Sequence, residues 1–167
     1  GVDYNDQALG FLRKKLKQRN IQNVKLINED LRDISENTTS EKFDLIVATD
    51  VIEHLKISDA KKLVSTMKSF LAPNGMVCII TPNYRSPWLL IERVLDKFTI
   101  FPHMENEQHL AKFYKENLEH IFECVGFSPF FFSTFNLFSY FFVNKTISGA
   151  LCKMELALKL PFGNLLV

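Results

Sequence analysis

Short apolar runs alternate along this chain with longer stretches in which apolar residues recur every three or four positions. A hydrophobic period near two interleaved with one near 3.6 predicts strands alternating with helices, the layout of an α/β fold. Asn5 or Asp6 can cap a helix that runs to about Arg19, with Ala8, Leu9, Leu12 and Leu16 on one face. Arg13, Lys14, Lys15, Lys17 and Arg19 then make its solvated side. Val24 to Ile27 predicts a short strand ending at Asn28-Glu29-Asp30. Phe43 to Thr49 is apolar at nearly every position, as a central parallel strand covered on both faces should be. Ser58 is placed to cap the next helix, whose inward stripe is Leu63, Val64, Met67, Phe70 and Leu71. Pro73-Asn74-Gly75 reads as a turn and Met76 to Ile80 as another buried strand. Up to Pro82 this is the rhythm of a doubly wound, mostly parallel Rossmann-like sheet, with right-handed crossovers that set helices on both faces.

Beyond Pro82 the rhythm changes. Pro87 opens a helix to about Lys97, a loop carrying His103 and His109 follows, and a further helix ends near Cys124 with Gly126 as its cap. Phe127 to Thr134 predicts a strand, Phe135 to Leu160 a helical or irregular tail, and Asn164 to Val167 the start of one more strand. The stretch from Cys124 to Asn144 carries no charge, but Ser128, Pro129, Ser133, Thr134, Asn136 and Ser139 dilute it too far for a membrane span of about 20 apolar residues. A strand followed by an apolar cap or interfacial helix fits it better.

Composition narrows the classes. With 20 Lys and Arg against 19 Asp and Glu, the chain lacks the basic surplus that binds nucleic acid, so no nucleic-acid partner is expected. A hydrophobic content of 47% and a charged content of 23% exclude a disordered chain, and 167 residues suit one domain. Cys78, Cys124 and Cys152 are widely spaced and odd in number, which points away from disulfides and zinc knuckles. Cys78 and Cys124 are expected as buried thiols in a reducing, cytoplasmic setting. Phe is the outlier at 16 residues, concentrated after Phe127. Gly1-Val2-Asp3 has no initiator Met and reads like the middle of a strand, as though something preceded it.

Candidate chemistry gathers where strands end. Ligands of open parallel sheets bind outside the carboxyl ends of the strands. Here those ends read Asp3-Tyr4, Glu29-Asp30-Leu31, Thr49-Asp50 and Thr81-Pro82-Asn83. A carboxylate at Asp3 can accept from both hydroxyls of a ribose, and Asp30 from an exocyclic adenine amine while Leu31 packs on the ring. Thr49 and Asp50 fall near the reactive end of such a ligand. Singly, each acid is as readily a helix cap; the ordered set carries the argument.

Gly1-Val2-Asp3-Tyr4, Asn28-Glu29-Asp30, Phe43-Asp44-Leu45-Ile46-Val47-Ala48-Thr49-Asp50-Val51-Ile52-Glu53-His54-Leu55 and Leu71-Ala72-Pro73-Asn74-Gly75 together resemble a class I S-adenosylmethionine-dependent methyltransferase. In pattern they are nearest the small-molecule and quinone-type O-methyltransferases. The likeness covers residues 1 to about 127 and implies S-adenosylmethionine as cofactor, with S-adenosylhomocysteine as product. It implies Asp3, beside Tyr4, on the ribose, Asp30 with Leu31 on the adenine, and Thr49, beside Asp50, near the methionine part. Residues 1–83 then form a cofactor-binding half and 84–167 an acceptor half with a Phe-rich cap. The family's first strand and glycine-rich loop, expected about 20 residues before Asp3, would fall ahead of Gly1, so the likeness implies an N-terminally truncated domain.

His54 and His109 are the candidate catalytic residues, His54 as general base on an acceptor hydroxyl and His109 in contact with the acceptor. Asp50-x-x-Glu53-His54 with His109 also resembles the carboxylate–histidine set that binds a divalent metal in some methyltransferases, including the 2′-O-methyltransferases of small RNAs. Here the first carboxylate is the shorter Asp, and no metal is assigned. The acceptor is expected to be small and apolar or lipid-like, with the Phe-rich tail available for peripheral membrane contact or an oligomer. Two alternatives stay open. One is a catalytically inactive methyltransferase-like interaction module; the other is a nicotinamide-dependent Rossmann oxidoreductase, although no Tyr-x-x-x-Lys pair is present.

Overall fold

A computed structural model describes residues 1–35, 37–87, 109–128, 131–136, 139, 144–159, 163 and 165–166. The helix expected from Pro87 to Lys97, the loop around His103 and much of the Phe-rich run lie outside the described residues. The chain packs as two compact units, Gly1–Lys42 and Phe43–Val167.

In the first unit, strand β1 (Val2–Asp3) pairs in parallel with β2 (Ile27–Asn28), Val2 opposite Ile27 and Asp3 opposite Asn28. Helix α1 (Asp6–Gln18) joins them. Asn5 caps it as expected, its side-chain oxygen accepting from the Ala8 N–H at 3.1 Å. The strand predicted from Val24 is shorter than expected because β1 offers only two residues to pair with. So small a sheet covers little of the helix within its own unit: Leu9 is buried, whereas Ala8 and Leu12 of the predicted stripe are exposed.

In the second unit, β3 (Phe43–Thr49), β4 (Leu71–Pro82), β6 (Leu165–Leu166) and β5 (Thr134–Phe135) form one sheet in the order β3-β4-β6-β5. The first pair is parallel, and the other two are antiparallel. β3 is therefore an edge of this sheet and not the double-covered centre that its composition predicts. Alternate residues Leu45 and Val47 are 53% and 56% exposed. Helix α2 (Ile57–Phe70) buries the expected Leu63, Val64, Met67 and Phe70, with Ala60 beside them, against the sheet. Its cap is Lys56 and not Ser58: the Lys56 carbonyl accepts from both Asp59 and Ala60, so the helix begins before the serine.

The turn predicted at Pro73-Asn74-Gly75 lies inside β4. Phe43 faces Leu71 but Leu45 faces Met76, so the residues between bulge out of the ladder. Asn74 there takes φ 65°, and a Cβ at Gly75 would meet the Phe43 carbonyl oxygen at 2.7 Å. Helix α3 (Lys115–Cys124) ends as predicted at Gly126, φ 78°, with Gly126 N–H bonded to Glu123 O and Phe127 N–H to Phe122 O. Cys124 is exposed on that helix, correcting the expectation of a buried thiol, and its Sγ lies 3.5 Å from Nε2 of His120. Of the strand expected over Phe127–Thr134, the described residues place only Thr134 in a strand, which with Phe135 forms β5. Helix α4 (Lys145–Leu158) is capped by Asn144. Among the described residues no helix is long and apolar enough to cross a membrane.

Candidate functional site

Parallel pairing brings strand ends to one side, and each unit does this separately. In the first, Asp3 and Asn28 stand opposite each other at the carboxyl ends of β1 and β2, with Glu29-Asp30-Leu31 next along the chain. Oδ1 of Asp3 accepts from the Asn5 N–H at 2.8 Å, and among the described residues its Oδ2 accepts no hydrogen bond. Tyr4 is 75% exposed. The Asp30 carboxylate is engaged in a way the sequence reading missed. Arg32 reaches back to it through Nε at 2.9 Å and Nη2 at 2.5 Å, and these bonds hold its pKa down to about 2. The signal was an Asp-x-Arg spacing at a strand end, where the chain turns tightly enough for the fork to fold back.

In the second unit Thr49 faces Ile80, and the chain leaves β3 through Asp50 at φ 52°, a left-handed conformation that Asp tolerates. That turn drops directly into a short 3-10 helix (Ile52–His54). Ile52 and Glu53 are each 1% exposed, while the His54 ring emerges. The Glu53 carbonyl accepts from Ala111 N–H at 3.0 Å, and the Phe113 carbonyl accepts from Tyr84 N–H at 2.9 Å. These two bonds stitch the 109–113 segment between the ends of β3 and β4, which is how His109 reaches His54. Their ring centroids are 5.1 Å apart.

The centre so assembled is Glu53, His54 and His109, with one donor atom from each lying within 4.8 Å of the others. Thr81, fully buried, donates to Oε2 of Glu53 at 2.9 Å. Oε1 is buried, has no hydrogen-bond partner among the described residues, and lies 4.0 Å from Nε2 of His54. The Tyr84 hydroxyl lies 2.5 Å from Nδ1 of His109. Sequence reasoning had Glu53, His54 and His109, and Thr81 only as a strand end; it missed that Thr81 holds Glu53 and Tyr84 holds His109. The signal was the polar run Thr81-Pro82-Asn83-Tyr84 closing an apolar strand. One carboxylate oxygen and two imidazoles are a donor set suited to a divalent ion, and the orphaned Oε1 fits that role. Asp50, the fourth member of the predicted metal set, is exposed and is not among the three convergent donors.

Burial pushes Glu53 above its ordinary value near 4.5, Thr81 and His54 pulling the other way; burial, then His54, pushes His109 below its usual range. Because folded Glu53 holds its proton more tightly than the unfolded chain does, its contribution to stability is lost as pH rises from about 4.5 through the raised folded value. His109 acts oppositely, costing stability as pH falls through the unfolded value near 6.5. Comparing wild type with Glu53→Gln cancels the His109 contribution. We expect the variant to unfold higher than wild type at pH 8, by about 1–2 kcal/mol or roughly 3–6 °C, and the gap to close toward pH 4. Thermal unfolding followed by circular dichroism checks this; a gap independent of pH would count against the buried, desolvated carboxylate.

An apolar cavity of about 210 Å³ runs along β4 under α3, lined among others by Met76, Cys78, Leu118, Phe122 and Phe132. None of the site residues lines it.

With the sheet, its strand ends and this centre in place, residues 1–129 match the model of the family described as "Methyltransferase domain", and the chain belongs to that family. Solved structures share the Rossmann-like fold. A SAM-dependent methyltransferase from Archaeoglobus fulgidus is 19% identical with a TM-score of 0.61, over 99% of this chain and 72% of that one. An S-adenosylmethionine-dependent methyltransferase from Clostridium acetobutylicum is 13% identical with a TM-score of 0.59, over 80% and 65%. PKMT2 from Rickettsia typhi is 23% identical with a TM-score of 0.51, over 60% of this chain, which spans only 19% of the PKMT2 chain. No curated protein matches.

Proposed function

We propose that the protein transfers a methyl group from S-adenosylmethionine to a small acceptor that is apolar or lipid-like. Membership of the methyltransferase domain family over residues 1–129 carries the reading. The first unit's residues suit the nucleoside end. Asp3 keeps Oδ2 for a ribose hydroxyl, and Oδ2 of Asp30, which accepts once from Arg32 while Oδ1 accepts twice, retains a lone pair for the adenine amine. Thr49, at the end of β3, suits the methionine end. When bound, the cofactor supplies a sulfonium methyl open to in-line displacement.

The chain's own task is then to orient the acceptor and accept its proton. His54, with 44% of its side chain exposed, is the base, and the neighbouring buried carboxylate of Glu53 steadies the imidazolium that forms. Orientation contributes more than base strength, since a sulfonium methyl is already reactive. Tyr4 and Asp50, both exposed beside the two strand ends, complete the proposed cofactor set. Any contact with a membrane surface or a second copy through the Phe-rich segment belongs to the same proposal.

Calorimetry with S-adenosylhomocysteine tests the first step and transfer of labelled methyl to a panel of phenols, fatty acids and sugars the second. Binding in the micromolar range with label recovered in an apolar acceptor is the expected result. No binding would remove the reading, and binding without transfer to any acceptor would favour an interaction module.

A further inference from the structure

Tyr84 meets His109 through both its hydroxyl and its ring. It follows β4 directly, its backbone N–H is fixed to the Phe113 carbonyl, and its ring stands edge-on to His109 with centroids 6.0 Å apart. The 2.5 Å contact between its hydroxyl and Nδ1 of His109 can run in either direction, and chemistry chooses between them. A phenol O–H is a much stronger donor than a neutral imidazole N–H, and a bare imidazole nitrogen a much stronger acceptor than a phenol oxygen. The ammonium of Lys112, 5.7 Å from the Tyr84 ring centroid, sharpens the preference by drawing electron density from the phenol. We propose that Tyr84 is a positioning residue, which donates to Nδ1 and so holds His109 in the tautomer that carries its hydrogen on Nε2.

The consequence is a division of labour between the two histidines. His109, whose burial disfavours the charged ring, offers the site an N–H donor and not a lone pair. His54 is left as the proton acceptor. Thr81 does for Glu53 what Tyr84 does for His109, so the end of β4 orients two of the three members of the centre. This assignment of roles rests on the methyl-transfer reading, but the tautomer itself does not.

Nitrogen-15 NMR of the histidine side chains in the full chain, without cofactor or acceptor, reads the tautomer directly. A protonated ring nitrogen and a bare one resonate far apart. For His109 in the wild type we expect a bare Nδ1 and a protonated Nε2. In Tyr84→Phe, which keeps the ring, the two signals should move toward each other as both tautomers become populated, with the backbone amide spectrum otherwise preserved. Affinity for S-adenosylhomocysteine should stay within about twofold of wild type, while kcat falls roughly tenfold, the worth of one oriented hydrogen bond. A wild-type His109 with its hydrogen on Nδ1, the arrangement a metal bound through Nε2 would require, overturns the proposal. So does a Tyr84→Phe variant whose His109 signals do not move. The wild-type measurement needs no variant to fold. Failure of the methyl-transfer reading would show separately, as absence of S-adenosylhomocysteine binding by the wild type.

Discussion

Asp3→Ala is expected to weaken S-adenosylhomocysteine binding by roughly a hundredfold, read by calorimetry. A carboxylate that accepts from two ribose hydroxyls makes two charge-assisted hydrogen bonds, and losing both removes about 3 kcal/mol. Asp3→Asn keeps one acceptor oxygen and puts a donor where the second hydroxyl would donate, so a loss nearer tenfold is expected. The same side chain also has a local task. Its Oδ1 accepts from the N–H of Asn5, the residue that caps α1. Some loss of stability, about 1 kcal/mol, therefore accompanies the variant and is measured apart by thermal unfolding. If binding were unchanged while stability fell by that amount, Asp3 would be a turn residue only.

The second large effect is on stability. Glu155, 1% exposed on α4, accepts from the Asn136 N–H at 2.6 Å and the Ser139 N–H at 3.0 Å, and the Ser139 hydroxyl lies 3.2 Å away. Asn136 itself sits at φ 67°, a left-handed conformation, and its N–H is held by this side chain. Glu155→Ala removes the acceptor of the buried Ser139 N–H and of the half-buried Asn136 N–H. It should cost about 3–5 kcal/mol and lower the unfolding temperature by roughly 10 °C. Glu155→Gln retains one acceptor oxygen in place and should cost about half as much. Equal effects from the two variants would mean that packing, and not the carboxylate's hydrogen bonds, carries the stability. A buried Glu in an otherwise ordinary helical pattern gave no hint of this in sequence, because its partners lie 16 and 19 residues away.

That contrast separates what was legible from what was not. The α2 stripe and the Gly126 cap could be read because each is fixed by local periodicity or a local backbone requirement. The strand ends could be read for the same reason: an apolar run stops where polar residues begin. The exposed edge at Leu45 and Val47 could not, since composition reports how apolar a strand is and not which neighbour covers it. Strand β6 is legible as the apolar start at Asn164–Val167, but its antiparallel place between β4 and β5 is not, since two residues carry no pairing signal. In the candidate site, His54 and His109 were visible as residue types. Their 5.1 Å approach depends on two backbone hydrogen bonds between segments more than 25 residues apart, which no spacing encodes. Arg32 on Asp30 and Tyr84 on His109 were missed for another reason. Both are ordinary residues until the backbone turns them toward a functional neighbour.

The place of β6 in the sheet bears on how the protein is made. It lies between β4 and β5, and the Gly163 carbonyl beside it accepts from the buried Asn83 side chain, 80 residues earlier. A ribosome releases β4, with Thr81 and Tyr84 at its tip, long before the strand that clamps that tip exists. During synthesis the end of β4 must wait with an open edge, and closure of a loop that long is entropically slow. The second unit should therefore mature only once β6 has been made, and until then a chaperone that shields unpaired strands has a defined place to bind.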